Sequence, residues 1–116
     1  MAEQYIFNDR RFKFNSDTRQ VEMSNGTTFR FTPTENKVFT ILVRNCGRLV
    51  PKEDILKKVW GENVDDNLLK KYVQKIRQKL EPETKAKDRT VISSIHGHGY
   101  MMVRDNSGEQ SIPPNV

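Results

Sequence analysis

Residues 67–80 read Asn-Leu-Leu-Lys-Lys-Tyr-Val-Gln-Lys-Ile-Arg-Gln-Lys-Leu, and this stretch predicts an amphipathic helix with two different faces. Four aliphatic residues recur at helical spacing and therefore lie on one side; they are Leu69, Val73, Ile76 and Leu80. Long polar side chains lie on the opposite side; they are Asn67, Lys70, Lys71, Gln74, Lys75 and Gln78. The pattern predicts a helix with one face in a core and one exposed face of hydrogen-bond donors.

The same segment carries the net charge of the whole chain. It holds five basic residues and no acidic residue, whereas the full 116 residues hold 20 Lys and Arg against 15 Asp and Glu, for a formal charge of +5. Outside the segment, bases and acids therefore balance at 15 each. Positive charge concentrated on one element is typical of proteins that bind a phosphate backbone. The alternative is a solvated lysine-rich helix, but such helices usually carry interspersed acids.

Two shorter helices are predicted ahead of this segment. The first begins at Thr32-Pro33-Thr34-Glu35, where the threonine is a cap, the proline suits the first helical position and the glutamate can bond back to the cap amide. It ends near Gly47, which is free to adopt a left-handed conformation. The second helix is predicted from about Pro51 to Trp60. Asp66 is then predicted to cap the third helix.

Strands are predicted both before and after the helices in the sequence. Polar and apolar residues alternate at 11–14 and 20–23, which favours half-buried strands, and Asn25-Gly26 predicts a type I′ hairpin turn. Residues 48–50 are predicted to be a short extended link, and 89–95 and 100–103 to be two strands joined by a tight turn. The N-terminal strands share one apolar face; it consists of Phe12, Phe14, Val21, Met23, Phe29 and Phe31.

This order of elements predicts an α+β fold. The predicted fold is a winged helix-turn-helix with a four-stranded antiparallel N-terminal sheet, three helices and a C-terminal β-hairpin wing. Residues 1–104 are predicted to form this domain. Residues 105–116 are polar and contain Pro113-Pro114, so they predict a flexible tail or linker. No run of about 18 apolar residues occurs, and one cysteine cannot form an internal disulfide, which favours a cytoplasmic setting.

Enzymatic and metal-binding functions find little support in the sequence. The two histidines, His96 and His98, lie in a glycine-rich turn and Cys46 is distant in sequence, whereas a zinc site takes three or four ligands. No glycine-rich phosphate loop of the Walker type occurs. We therefore predict no catalytic residue, no metal and no cofactor. The alternative to nucleic-acid binding is a winged-helix module for protein–protein interaction, without specific DNA binding.

Four motifs in order resemble those of a known family. They are Thr32-Pro33-Thr34-Glu35, Val59-Trp60-Gly61, the Val73, Ile76, Arg77 and Leu80 ladder, and Gly97-His98-Gly99-Tyr100. Together they resemble the OmpR/PhoB-type winged-helix DNA-binding domain over about residues 5–103. The resemblance implies transcriptional regulation by sequence-specific binding of double-stranded DNA, often as two protomers on repeated half-sites. Residues 67–80 would be the recognition helix in the major groove.

The resemblance also implies roles for individual residues. Positions that face DNA in the family correspond to Lys70, Lys71, Gln74 and Lys75, and Asn67 and Gln78 share their face. Backbone contacts are implied for Arg77, Lys52, Trp60 and Tyr100, and wing contacts for Ser94 and His96. Gln74 and His96 depart from the family, since many members carry a base at the first position and a wing arginine at the second. A histidine there makes the wing contribution pH-dependent.

Two branches of the family differ in what surrounds this domain. In response regulators it follows a phosphorylatable receiver, whereas in ToxR-like and CadC-like regulators it begins the protein and a transmembrane helix follows. Met1 runs straight into the first predicted strand, which favours the ToxR-like/CadC-like branch and a membrane tether beyond residue 116. The domain would then lie on the cytoplasmic side of an inner membrane. In some members the loop before the recognition helix contacts RNA polymerase, which implies this contact for Glu62 and Asp65.

Overall fold

The structure is a computed structural model that describes residues 6–8, 10–61, 64–82, 84, 91–95 and 97–103. Within these residues it has the predicted α+β architecture, with two antiparallel sheets and three helices. The strands are β1 (Ile6–Asn8), β2 (Phe12–Asn15), β3 (Gln20–Met23), β4 (Thr28–Arg30), β5 (Leu49–Pro51), β6 (Ile92–Ile95) and β7 (Gly99–Met102). The helices are α1 (Pro33–Arg44), α2 (Lys52–Val59) and α3 (Asp66–Leu80). The predicted tail of residues 105–116 lies outside the described residues.

The first sheet is the predicted four-stranded antiparallel sheet, and its strand order is β1-β2-β3-β4. Phe14 pairs with Val21 and Phe12 with Met23, so the apolar residues of adjacent strands share one face. Phe12, Phe14 and Val21 are buried on that face against α1 residue Phe39, whose ring lies 4.9 Å from that of Phe14. This aromatic layer joins the sheet to the helices.

The turn between β3 and β4 differs from the predicted type I′ turn. The Gly26 N–H donates to the Met23 carbonyl at 2.9 Å and the Met23 N–H donates to the Thr27 carbonyl at 2.7 Å, which leaves a three-residue loop. Gly26 has a φ of 93°, but Asn25 does not have a positive φ. The prediction was wrong because a three-residue connection needs only one left-handed residue, whereas type I′ needs two. Asn25 Oδ1 instead accepts from the Thr27 N–H at 2.9 Å.

The second sheet has the order β5-β7-β6, so the wing is three-stranded and not a lone hairpin. Leu49 and Val50, which were predicted to belong to a link, lie in β5, in which Val50 pairs with Tyr100. Pro51 is tolerated because β5 is an edge strand. A Cβ at Gly99 would lie 2.1 Å from the Val50 carbonyl oxygen, so this close pairing requires glycine. The strand was not predicted because three residues are too few to show an alternation of polar and apolar side chains.

The helix termini confirm one predicted cap and correct another. Thr32 and Glu35 form the predicted capping box at α1. At α3 the cap is Asp65, whose Oδ1 accepts from the Asn67 N–H at 2.9 Å. The prediction of Asp66 as the cap was wrong, because Asp65 has the extended backbone of a cap and Asp66 is already helical. The two adjacent aspartates could not be separated by residue type alone.

The apolar face of α3 is buried as the spacing predicted. Ile76 and Leu80 are 0% and 3% exposed, and Leu69 and Val73 are buried with them. An ion pair of 2.6 Å between Lys79 Nζ and Glu35 Oε1 ties the end of α3 to the start of α1. Burial of this face fixes the rotation of α3, and hence the direction of its polar side. No helix among the described residues is long and apolar enough to cross a membrane.

Candidate nucleic-acid interface

Beyond Asp66 in its first turn, the exposed side of α3 presents amide and ammonium side chains along its length. All six residues predicted there are exposed; they are Asn67, Lys70, Lys71, Gln74, Lys75 and Gln78. Lys75 Nζ lies 5.4 Å from the ring centroid of the half-buried Tyr72, which steadies the lysine along the helix. The face is therefore a row of donors held in fixed rotation by the buried opposite side.

Arg77 lies at the margin of this face and reaches the wing. Its Nη2 donates to the Ile92 carbonyl oxygen at 2.8 Å and to Ser94 Oγ at 2.7 Å, and its Nε donates to the same carbonyl at 3.2 Å. The guanidinium also lies 5.9 Å from the Tyr100 ring centroid. Arg77 thus connects α3 to two strands of the wing, β6 and β7. The implied phosphate contact of Arg77 stays a prediction, but these bonds give the residue a positioning role that the sequence did not indicate.

Lys52, at the start of α2, is held by the first residue of α3. Its Nζ lies 2.7 Å from Asp66 Oδ2. This hydrogen bond, and then the charge of the carboxylate, raises the pKa of Lys52 above its ordinary value. The Lys52 backbone N–H donates to the His98 carbonyl at 3.0 Å, so α2 also begins against the wing turn. The sequence predicted Asp66 only as a helix cap and gave no sign of its pairing with Lys52.

Tyr100 and Trp60 differ in their surroundings. Tyr100 is half-buried, and burial raises the pKa of its phenol above 10.0, although the charges of Arg77 and Lys52 oppose the rise. The hydroxyl therefore stays protonated at neutral pH and can donate a hydrogen bond. Trp60 is half-buried against Tyr72, with ring centroids 5.5 Å apart, at the end of α2. Trp60 thus contributes to packing between α2 and α3.

A cavity of about 410 Å³ lies between α3 and the wing, and we call it the α3–wing cavity. Five of the residues predicted to contact DNA line it; they are Lys52, Asn67, Lys70, Ser94 and Tyr100. The structure therefore brings residues of α2, of α3 and of the wing to one surface. The wing residue His96 and the loop residue Glu62 lie outside the described residues. The described residues hold no group of three or more His, Cys, Asp or Glu side chains placed to bind a metal.

Residues 26–102 match the family profile described as "Transcriptional regulatory protein, C terminal". The chain belongs to this family. Its members include the OmpR/PhoB-type domains that the sequence motifs resembled. A relative, the response regulator ArlR of Staphylococcus haemolyticus, is 36% identical over 80 residues, covering 67% of this chain and 35% of ArlR. The chain thus spans about a third of the length of this curated relative.

Two solved structures have a similar fold. The DNA-binding domain of Bacillus subtilis CssR matches with a TM-score of 0.64 and 27% identity, covering 78% of this chain and 98% of that one. The DNA-binding domain of E. coli CadC matches with a TM-score of 0.74 and 12% identity, covering 90% and 96%. At 12% identity CadC shows the fold alone. The ToxR-like/CadC-like branch stays a prediction, since the relative at 36% identity is a response regulator.

Proposed function

We propose that this chain is the DNA-binding domain of a transcriptional regulator and that α3 enters the major groove of double-stranded DNA. The observation that carries the proposal is the division of α3 into a buried aliphatic side and an exposed side of amides and ammonium groups. Membership in the family of regulatory protein C-terminal domains supports the same function.

The chemistry of the exposed side suits both parts of DNA recognition. The major groove admits one α-helix, in which lysine can donate to guanine O6 and N7 and glutamine can pair with adenine N6 and N7. We assign base reading to Lys70, Lys71, Gln74 and Lys75. Phosphate contacts, which position a protein without selecting sequence, are assigned to Lys52 and Tyr100 at the α3–wing cavity. Arg77 holds the wing beside them.

A salt titration tests the proposal. Binding to duplex DNA is expected to weaken with salt with a slope of about −0.9 per neutralised phosphate, for roughly four to seven phosphates per protomer. A selected high-affinity duplex and a random duplex are compared at each salt concentration. A slope near zero on both would reject DNA binding and would favour a protein partner for the same surface.

We also propose RNA polymerase as a second partner, through Glu62 and Asp65. Asp65 is exposed, but its carboxylate caps α3, so a variant must keep the cap. Asn is as good a cap as Asp, so Asp65→Asn combined with Glu62→Gln removes both charges and keeps the helix start. The double variant is expected to reduce transcription from a bound promoter while DNA affinity stays close to that of the native domain. An affinity loss as large as the transcription loss would reject a separate polymerase contact.

Two protomers on repeated half-sites are the further arrangement that we propose. The support is the family resemblance of the domain, in which such pairing is frequent. Sedimentation of the domain with a duplex carrying one or two selected half-sites distinguishes single from paired binding. Binding of only one protomer to the duplex with two half-sites would contradict this arrangement.

A further inference from the structure

Asp66 places a negative charge in a surface that is otherwise suited to phosphate. Among the described residues that line the α3–wing cavity it is the only acid, and Lys52 and Lys70 line the same cavity. Its Oδ2 lies 2.7 Å from Lys52 Nζ. The carboxylate therefore already pairs with Lys52, a residue to which a phosphate contact is assigned.

We propose that Asp66 is a specificity-determining residue that masks Lys52, lowering the affinity of the domain for duplex DNA of any sequence. This inference rests on the proposed DNA-binding function and deepens it. A phosphate that approaches Lys52 must displace the carboxylate or leave the lysine paired. In either case the net contribution of Lys52 to phosphate binding is reduced.

The exposure of the two side chains allows this competition. The Asp66 side chain is 55% exposed and that of Lys52 is 31% exposed, so both are accessible from solvent at the cavity. Sequence-independent affinity scales with the number of phosphates neutralised. Masking one lysine therefore removes about one phosphate from that number.

Two of the residues assigned to base reading, Lys71 and Lys75, do not line the α3–wing cavity. They lie about one and a half and two and a half turns beyond Asp66 along α3, and both are exposed. Contacts from these lysines to a selected site are retained while non-specific affinity falls. Asp66 would in this way increase the ratio of specific to non-specific binding, which governs occupancy of a site among many competing sequences.

The chain supplies a matched control at the adjacent position. Asp65 is also an exposed acid at the start of α3, but its carboxylate accepts from the Asn67 N–H and caps the helix. Asp65→Asn and Asp66→Asn change the net charge equally, and Asn preserves the cap. A general electrostatic effect would therefore be the same in both variants, whereas release of Lys52 would occur only in Asp66→Asn.

The experiment measures binding to a random duplex by fluorescence anisotropy over a series of salt concentrations. Asp66→Asn is expected to steepen the slope of log affinity against log salt by about 0.9 and to tighten binding several-fold at low salt. Asp65→Asn is expected to leave the slope unchanged. Adding Lys52→Gln to Asp66→Asn is expected to remove the extra slope. Asp66→Ser provides a second variant if the Asn variant proves less stable in thermal unfolding.

Equal effects of Asp65→Asn and Asp66→Asn would overturn the inference, because long-range charge would then explain both. Weaker binding by Asp66→Asn would also overturn it and would indicate that the carboxylate contacts a base or orders the interface. A slope near zero for the native domain would reject the proposed DNA binding itself, and this inference with it. Salt-dependent binding by the native domain therefore separates failure of the inference from failure of the function.

Discussion

The guanidinium of Arg77 donates a hydrogen bond to the hydroxyl of Ser94 at 2.7 Å. Both residues were predicted to bind DNA, and in the structure they bind each other. The same guanidinium is bonded to the Ile92 carbonyl at 2.8 Å. These bonds join α3 to β6, so the position of the wing depends on that of α3. A change in one element is therefore expected to alter how the other meets DNA.

Replacement of Arg77 is expected to affect both stability and DNA binding. Arg77→Ala leaves the Ile92 carbonyl without this partner, and hydrogen bonds to charged groups contribute about 1.5–3 kcal/mol. We expect the free energy of unfolding in urea to fall by an amount in that range and affinity to fall about equally on selected and random duplexes. Ser94→Ala keeps the bonds between Arg77 and Ile92, so the free energy of unfolding is expected to fall by less than in Arg77→Ala. Unchanged stability with a salt slope reduced by about one would instead identify Arg77 as a phosphate contact.

The buried side of α3 allows a direct test of its rotation. Leu80 is 3% exposed, and Leu80→Ala is expected to lower the free energy of unfolding by about 2–5 kcal/mol, because it leaves a cavity in the core. Gln78→Ala, on the exposed side of the same helix, is expected to change it by less than about 0.5 kcal/mol. The two variants are compared by urea unfolding. Similar small effects for both would contradict the rotation of α3 and the DNA-facing side derived from it.

Burial of Tyr100 predicts a loss of stability at high pH. The folded-state pKa of its phenol is raised above 10.0, so its contribution to stability is complete below that pH and is lost as pH rises through the folded pKa. We expect the free energy of unfolding to fall more steeply above about pH 10 for the native domain than for Tyr100→Phe, which cannot ionise. Parallel pH profiles for the two proteins would show that Tyr100 ionises as readily when folded as when unfolded.

The sequence predicted most of the fold because its signals were local and repeated. The spacing of Leu69 and Ile76, the capping box at Thr32 and the glycines at turns each depend on a few neighbouring residues. Strand β5, which was not predicted, depends instead on the pairing of Val50 with Tyr100, fifty residues away. No local sequence pattern indicates such a pairing. Long-range pairing of this kind is decided by tertiary packing.

The same distinction applies to the candidate site. Helical spacing placed Lys71 and Gln74 on the exposed side of α3 correctly. It could not show that Arg77 bonds to the wing or that Asp66 pairs with Lys52, because both partners come from other elements. Residue type and spacing predict which face a side chain takes, whereas its partner across the fold depends on the relative positions of the elements.

Base reading by α3 can be separated from electrostatic binding with three lysine variants. Lys71→Ala and Lys75→Ala are each expected to cost about 1–3 kcal/mol of binding free energy on a selected duplex and to relax preference at one or two base positions, because a base edge loses its donor. On a random duplex each variant should lose only the affinity that comes from the charge of the lysine, so the loss should be smaller than on the selected duplex. Lys37→Ala, an exposed lysine of α1, removes the same charge away from the α3 face and serves as the control. Affinities for both duplexes are measured at one fixed salt concentration, since salt alone changes them. If Lys71→Ala and Lys75→Ala weaken both duplexes equally, α3 binds DNA through its charge only, and sequence preference must come from DNA shape or from the wing.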